Sequence, residues 1–196
     1  MIDKVELSLP SQPVPLIYLT GFMASGKSTV GYALAEALHR DFFDLDVEIE
    51  TRLGKPIAQI FKDEGAAFFR EIESQILMEL SQRNNAVIAL GGGTLIDIEN
   101  LSVVQNSGIS IWLATTPEEI WKRIEYSDKR QLIAGPDSRG RVLTDPNQIY
   151  DRIKSLMLIR KPSYEKADII IDATNKSVSQ IVQEILMLLE PYQFLR

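Results

Sequence analysis

The stretch GFMASGKST, residues 21–29, sets two glycines, a lysine and a serine in the pattern G-x-x-x-x-G-K-[ST]. Gly21 and Gly26 let the chain curl so that successive backbone N–H groups face phosphate oxygens, and a helix opening at Lys27 would add partial positive charge. Lys27 would reach the β- and γ-phosphates of a nucleotide and Ser28 would offer its hydroxyl to Mg2+, with Ala24, Ser25 and Thr29 completing the expected nucleotide contacts. Two carboxylates follow in DFFDLDVEIE, residues 41–50. Asp44 and Asp46, two apart at a strand end, are expected to splay over the carboxyl edge of a sheet. One could serve a metal's coordination shell and the other accept a proton from a hydroxyl, or the pair could be a solvated strand end or helix cap. Gly91, Gly92 and Gly93 close a third apolar run, where bare backbone can approach a bound molecule or a neighbouring segment. Arg70, Arg123, Arg130 and Arg160 carry planar forks that suit carboxylate and phosphate, each being otherwise a surface cation. His39 ends a helix and is given no role, while Trp112, Trp121, Phe61, Phe68 and Phe69 are expected in the core or lining a pocket.

Positioning such groups needs a scaffold, and the apolar pattern supplies one. Strand-length runs at 16–20, 42–45, 86–90, 109–113 and 168–171 alternate with amphipathic stretches of helix length, the rhythm of an α/β fold with a parallel sheet covered on both faces. One helix, residues 27–39, carries Val30, Leu34, Ala37 and Leu38 at helical spacing; another, 70–82, carries Ile72, Ile76, Leu77 and Leu80. A last helix starts after a Ser177 cap and is expected to bury Ile181, Ile185 and Leu188. Residues 127–147 break the rhythm with two glycines, two prolines and several basic groups, and read as a mobile lid. Residues 1–15, with three prolines among charges, read as a surface arm ahead of a single domain at 16–196.

Composition narrows the function. The chain has 196 residues and a formal net charge of −6, so bulk nucleic-acid binding is not expected and an anionic ligand must be held by a local cluster of cations. With no cysteine there can be no disulfide, thiolate metal site or cysteine nucleophile. No apolar run is long enough to span a membrane, and the N-terminus lacks the apolar stretch of a secretory signal, so a cytoplasmic protein is expected.

Taken together, GFMASGKSTVG, FFDLDVEIE, FFREIE, LGGG, RQLIAGP and RKPSYEKAD stand in the order and rough spacing of the shikimate kinases, which the chain resembles from Leu16 to its last helix. The resemblance implies a P-loop three-layer fold, similar to nucleoside monophosphate kinases, with a five-stranded parallel sheet in the order 2-3-1-4-5. It implies ATP as co-substrate, Mg2+ as cofactor, and transfer of the γ-phosphoryl to the 3-hydroxyl of shikimate, a step of chorismate and aromatic amino-acid biosynthesis. By the same resemblance Asp44 is a water-mediated magnesium ligand and Asp46 the catalytic group on the acceptor hydroxyl. Arg70 and Arg160 would grip the shikimate carboxylate, with Gly91, Gly92 and Gly93 lining substrate and γ-phosphate. Arg130 is the lid arginine, Arg123 stacks on adenine, and the loop at Asn175 and Lys176 closes the other side of the base. The substrate region would span about 46–83.

Three departures stand out. Ala24 occupies a loop position where many members carry glycine, Gln131 follows the lid arginine where proline is usual, and the stretch from Arg130 to Arg160 is longer than usual. The last leaves Arg130, Arg139 and Arg141 as candidates for the phosphate contact. A monomer acting on two small molecules is expected. Another P-loop small-molecule kinase, such as a gluconate kinase, is the alternative within enzymes; a nucleotide-binding regulatory module is the alternative outside them, although none of its catalytic groups is missing.

Overall fold

A computed structural model describes residues 16–125, 133 and 143–193. Five strands form one parallel sheet in the order β2-β3-β1-β4-β5: β1 (Leu16–Thr20), β2 (Asp41–Asp44), β3 (Ala86–Ala89), β4 (Gly108–Ala114) and β5 (Ile169–Asp172). The helices between them are α1 (Lys27–Leu38), α2 (Leu45–Leu53), α3 (Ile57–Asp63), α4 (Gly65–Leu80), α5 (Ile98–Ser107), α6 (Pro117–Ile124), α7 (Pro146–Tyr164) and α8 (Val178–Gln193). Every residue of β1 is buried, which explains its unbroken apolar run in place of an alternating one.

Alternation of side chains across that strand builds two cores. Ile17 and Leu19 face Val30 and Leu34 of α1 and Ile181 and Ile185 of α8, whereas Leu16 and Tyr18 face Ile49 of α2, Ile60 of α3 and Ile76 and Leu77 of α4. The α8 face runs through Ile181, Ile185 and Leu189. Leu188, expected inside, is 43% exposed, because the buried face is centred between Ile185 and Leu189, with Ile181 and Val182 at its two edges, and Leu188 falls just past the Ile181 edge. Ser177 does cap α8, reciprocally with Gln180: the Gln180 N–H donates to Ser177 Oγ at 3.3 Å and the Ser177 N–H to Gln180 Oε1 at 2.9 Å.

Other expectations shift at their edges. Strand β2 ends at Asp44, not Leu45, so Asp44 and Asp46 do not share a strand end; Asp46 sits in the first turn of α2. Strand β5 begins at Ile169, and Asp168 instead turns its carboxylate to the N–H and hydroxyl of Ser110 at 2.8 and 2.7 Å. Pro146 and Asn147, taken as the end of the lid, form the first turn of α7 with Asp145 as its cap. The arm at 1–15 and most of the expected lid, including Arg130, Gln131, Arg139 and Arg141, lie outside the described residues.

Register is what aims the chemistry. Ala89 of β3 pairs with Leu19 of β1 on one side and Asp44 of β2 on the other, so Gly21, Asp46 and Gly91 each lie two residues beyond the same level of the sheet. All three therefore emerge at one carboxyl edge, where open α/β sheets bind ligands. The turn from β1 into α1 uses positive φ at Gly21 (140°), Ala24 (59°) and Gly26 (107°). Only Ala24 among these carries a Cβ, and the left-handed region costs such a residue about 1–2 kcal/mol. Ala24→Gly should therefore stabilise the ligand-free protein by ~0.5–1 kcal/mol after the extra unfolded-chain entropy of glycine is subtracted. A thermal melt reads this as a Tm higher by a few degrees; a lowered Tm would mean the backbone at Ala24 carries no strain.

Candidate active site

The phosphate loop closes over its own lysine. Lys27 is only 8% exposed and its ammonium donates to the Gly21 and Phe22 carbonyls at 3.0 Å each. The α1 N-terminus behind it has no side-chain cap and no acidic residue in its first turn, whereas Asp44, Asp97, Thr116 and Asp145 cap α2, α5, α6 and α7. Uncapped N–H groups and an unopposed helix dipole are what an anion site needs. Ser25 Oγ and Thr20 Oγ1 are also buried, with no partner among the described residues.

Next to the loop, the Ser28 hydroxyl donates to Asp44 Oδ2 at 2.5 Å. The other oxygen of Asp44 accepts the Asp46 N–H at 3.0 Å and caps α2, so one carboxylate serves both the helix and the loop. Ser28 Oγ and Asp44 Oδ2 are hard oxygen donors side by side. They fit Mg2+, which is held by one or two protein oxygens and completes its shell with water and substrate phosphates. Among the described residues no group of three or more acidic, His or Cys side chains could cage a metal alone, consistent with that mode.

The glycine strip is where the second half of the site converges. A Cβ on Gly91 would lie 2.6 Å from Glu73 Oε1, 2.8 Å from Thr94 Oγ1 and 3.1 Å from Asp46 Oδ1. One on Gly93 would lie 2.7 Å from an Arg70 guanidinium nitrogen, and one on Gly92 would come within 3.2 Å of the Met23 backbone nitrogen and 3.4 Å of Arg160. Absence of side chains here thus brings Asp46, Arg70 and Arg160 into one cluster and sets it directly against the phosphate loop. Arg160 also donates to the Gly92 carbonyl at 3.1 Å and lies over the Phe22 ring, while its buried Nε has no partner among the described residues.

Two groups that hold this cluster, Glu73 and Tyr164, were missed in the sequence. Glu73 is fully buried; its carboxylate pairs with Arg70 and accepts the Thr94 hydroxyl at 2.7 Å. The i, i+3 spacing from Arg70 on one helix was the available signal. Tyr164, one turn beyond Arg160 on α7, donates its hydroxyl to the Gly92 carbonyl at 2.5 Å, and burial pushes its pKa up to about 12, so it remains a donor throughout the working range.

On the nucleotide side, Arg123 donates to the Ala24 and Ser25 carbonyls at 3.0 Å each, reaches toward Ala173 O at 3.5 Å and pairs with Glu119 at 3.0 Å. Asn175 and Lys176 follow in the β5–α8 loop, with Asn175 exposed at φ 54° and Lys176 paired with Glu184 of α8 at 2.5 Å. Thr29 is exposed in the first turn of α1.

Known proteins resemble this chain in sequence and fold. A family model described as shikimate kinase matches residues 23–190. The shikimate kinase of Chlorobaculum tepidum is 39% identical over 175 residues, covering 89% of this chain and 90% of the relative; that of Burkholderia lata is 39% identical with 89% of each covered. Among solved structures, the Acinetobacter baumannii shikimate kinase in complex with shikimate superposes with a TM-score of 0.82 at 34% identity, covering 92% of this chain and 96% of that one. Shikimate kinase from Bacteroides thetaiotaomicron gives 0.80 at 30% identity, covering 90% and 98%. Agreement in sequence along nearly the whole length, and in the sheet order that brings the phosphate loop and glycine strip together, has one consequence: the chain belongs to the shikimate kinase family.

Proposed function

We propose that the protein phosphorylates the 3-hydroxyl of shikimate with ATP, giving shikimate 3-phosphate and ADP. The observation that carries this reading is the convergence of one carboxylate, Asp46, and two guanidiniums, Arg70 and Arg160, on the glycine strip beside the phosphate loop. A ring that bears a carboxylate and hydroxyls is the complement of that set. Its carboxylate would take the forks of Arg70 and Arg160, and its hydroxyl would meet Asp46. Binding an anion is compatible with a net charge of −6 because these cations act at contact distance, while the distributed surface charge is screened by salt.

Phosphoryl transfer leaves little covalent work to the protein, so rate comes from alignment and charge. Asp46 would accept a hydrogen bond from the acceptor hydroxyl, aim its oxygen in line with the γ-phosphorus and take the proton as the bond forms. Lys27 would exchange its carbonyl partners for β- and γ-phosphate oxygens. The N–H groups at the start of α1 would hold the same phosphates. Ser28 directly, and Asp44 through water, would hold Mg2+, which when bound would supply positive charge to the triphosphate. Arg130, Arg139 and Arg141 remain the lid residues from which the last cation would come, and closure of that segment would keep water from the γ-phosphoryl. In this reading the arm at 1–15 is peripheral, residues 46–83 form the substrate region, and one chain acts alone in the cytoplasm on small molecules, with no nucleic acid. Every group assigned above comes from a single chain, and no described helix is long and apolar enough to cross a membrane.

The reading is tested by ADP release measured with shikimate, gluconate and nucleoside monophosphates as acceptors. Shikimate alone should support turnover; release that favours gluconate, or is indifferent to any acceptor, would overturn it. Asp46→Asn should keep ATP binding but lower kcat by ~10²–10⁴, the usual worth of a positioned general base. A fall of less than tenfold would make Asp46 a spectator.

A further inference from the structure

Arg123 spends its guanidinium on three parts of the fold: Glu119 of its own helix, the phosphate-loop carbonyls and the Ala173 carbonyl. Nε and one terminal nitrogen share Glu119 at 3.0 Å each, the other terminal nitrogen serves the Ala24 and Ser25 carbonyls at 3.0 Å each, and the longest contact goes to Ala173 O at 3.5 Å. A guanidinium has five N–H donors in a fixed fork, so this set leaves the fork no freedom to rotate. It ties α6 to the phosphate loop and to the loop that follows β5.

The consequence for the phosphate loop follows from peptide geometry. In a trans peptide the C=O and the next residue's N–H point in opposite directions, and no cis bond occurs among the described residues. Fixing the Ser25 carbonyl on Arg123 therefore fixes the Gly26 N–H on the side of that peptide facing away from Arg123. The neighbouring peptide is held twice, since the Ala24 carbonyl meets Arg123 and the Ser25 N–H donates to Phe22 O at 3.2 Å. Ala24 is also the non-glycine residue of this turn at positive φ, 59°. An alanine there disfavours the bound shape of the loop, so an external clamp matters more than it would for glycine.

We infer that Arg123 is a positioning residue for the triphosphate: by pinning the Ala24 and Ser25 carbonyls it presets the phosphate loop, and it contributes to nucleotide affinity through the phosphates as well as through any contact its face makes with the base. Glu119, which fixes the plane of that guanidinium, supports it from behind. The inference rests on the nucleotide reading of the site. It concerns how binding is achieved, since a loop already in its bound shape loses less freedom when the ligand arrives.

An inorganic ligand without a base separates the two contributions. Wild type, Arg123→Ala, Arg123→Lys and Glu119→Gln are titrated calorimetrically with ATP and with sodium tripolyphosphate, both with and without Mg2+. Arg123→Ala should weaken tripolyphosphate about tenfold or more, the scale of one lost charge-assisted hydrogen bond, and ATP by at least as much. Glu119→Gln should weaken both by less. Loss of ATP affinity with tripolyphosphate unchanged would overturn the inference and leave Arg123 as a base contact only. Failure of the wild type to bind either ligand would instead overturn the nucleotide reading itself. Amide exchange supplies a second readout: in Arg123→Ala it should quicken across residues 22–27 and stay unchanged in β4, and a uniform rise would reduce Arg123 to a general stabiliser of the fold. If Arg123→Ala does not fold, Arg123→Lys, which keeps the charge but not the fork, carries the same comparison.

Discussion

A fully buried carboxylate, Glu73, sets the geometry of the substrate side. Out of water such a charge persists only if it is paired and hydrogen-bonded, and its partners are Arg70 on its own helix and the Thr94 hydroxyl beyond the glycine strip. Through Thr94 the carboxylate joins α4 to the turn that follows the glycine strip. It also decides where the Arg70 fork can be: against Gly93, with its side chain 40% exposed toward the opening. Gly91 has no room for a side chain because Glu73 and Thr94 occupy that volume. Gly91 and Gly93 are thus a packing requirement of the Glu73–Arg70 pair before they are a lining for any ligand.

Gly92 joins that arrangement to the phosphate loop. Its carbonyl accepts from both Arg160 and Tyr164, and the volume of its missing side chain is bounded by the Met23 nitrogen and Arg160. A donor phosphate on the loop and an acceptor ring on the strip would meet across this contact. Both halves reach it because parallel pairing levels Leu19, Ala89 and Asp44, and everything two residues further on leaves the sheet together. Charge follows the same logic: cations are concentrated where two anions must come close, in a chain that is acidic overall.

Much of this was legible in the sequence. The phosphate loop declares itself because its spacing encodes a backbone shape, and the inner strands β1 and β3 because burial on both faces removes polar residues from them. Asp44 was harder to read: a cap and a metal-shell residue look alike in sequence, and here one oxygen caps α2 while the other meets Ser28. Leu188 was misread because its neighbour Leu189 is equally apolar, and only the phase of α8 against the sheet separates them. Glu73 and Tyr164 were missed for a different reason. Glu73 acts through Thr94, 21 residues along the chain, and Tyr164 through Gly92, 72 residues away, distances over which local pattern carries no information. Arg123 fell between these cases, its fork being recognisable as an anion or base contact but its backbone partners visible only in three dimensions.

If the buried pair is what presents Arg70 to the substrate, removing its charge without changing its shape should uncouple the two halves of the site. Calorimetry of Glu73→Gln with shikimate and, separately, with ATP measures this directly. Shikimate affinity should fall about tenfold or more, the worth of one charge-assisted hydrogen bond, while ATP affinity and its Mg2+ dependence stay as in the wild type. Unchanged shikimate affinity in a folded variant, or an equal loss for both ligands, would contradict the claim that Glu73 organises the substrate side through Arg70.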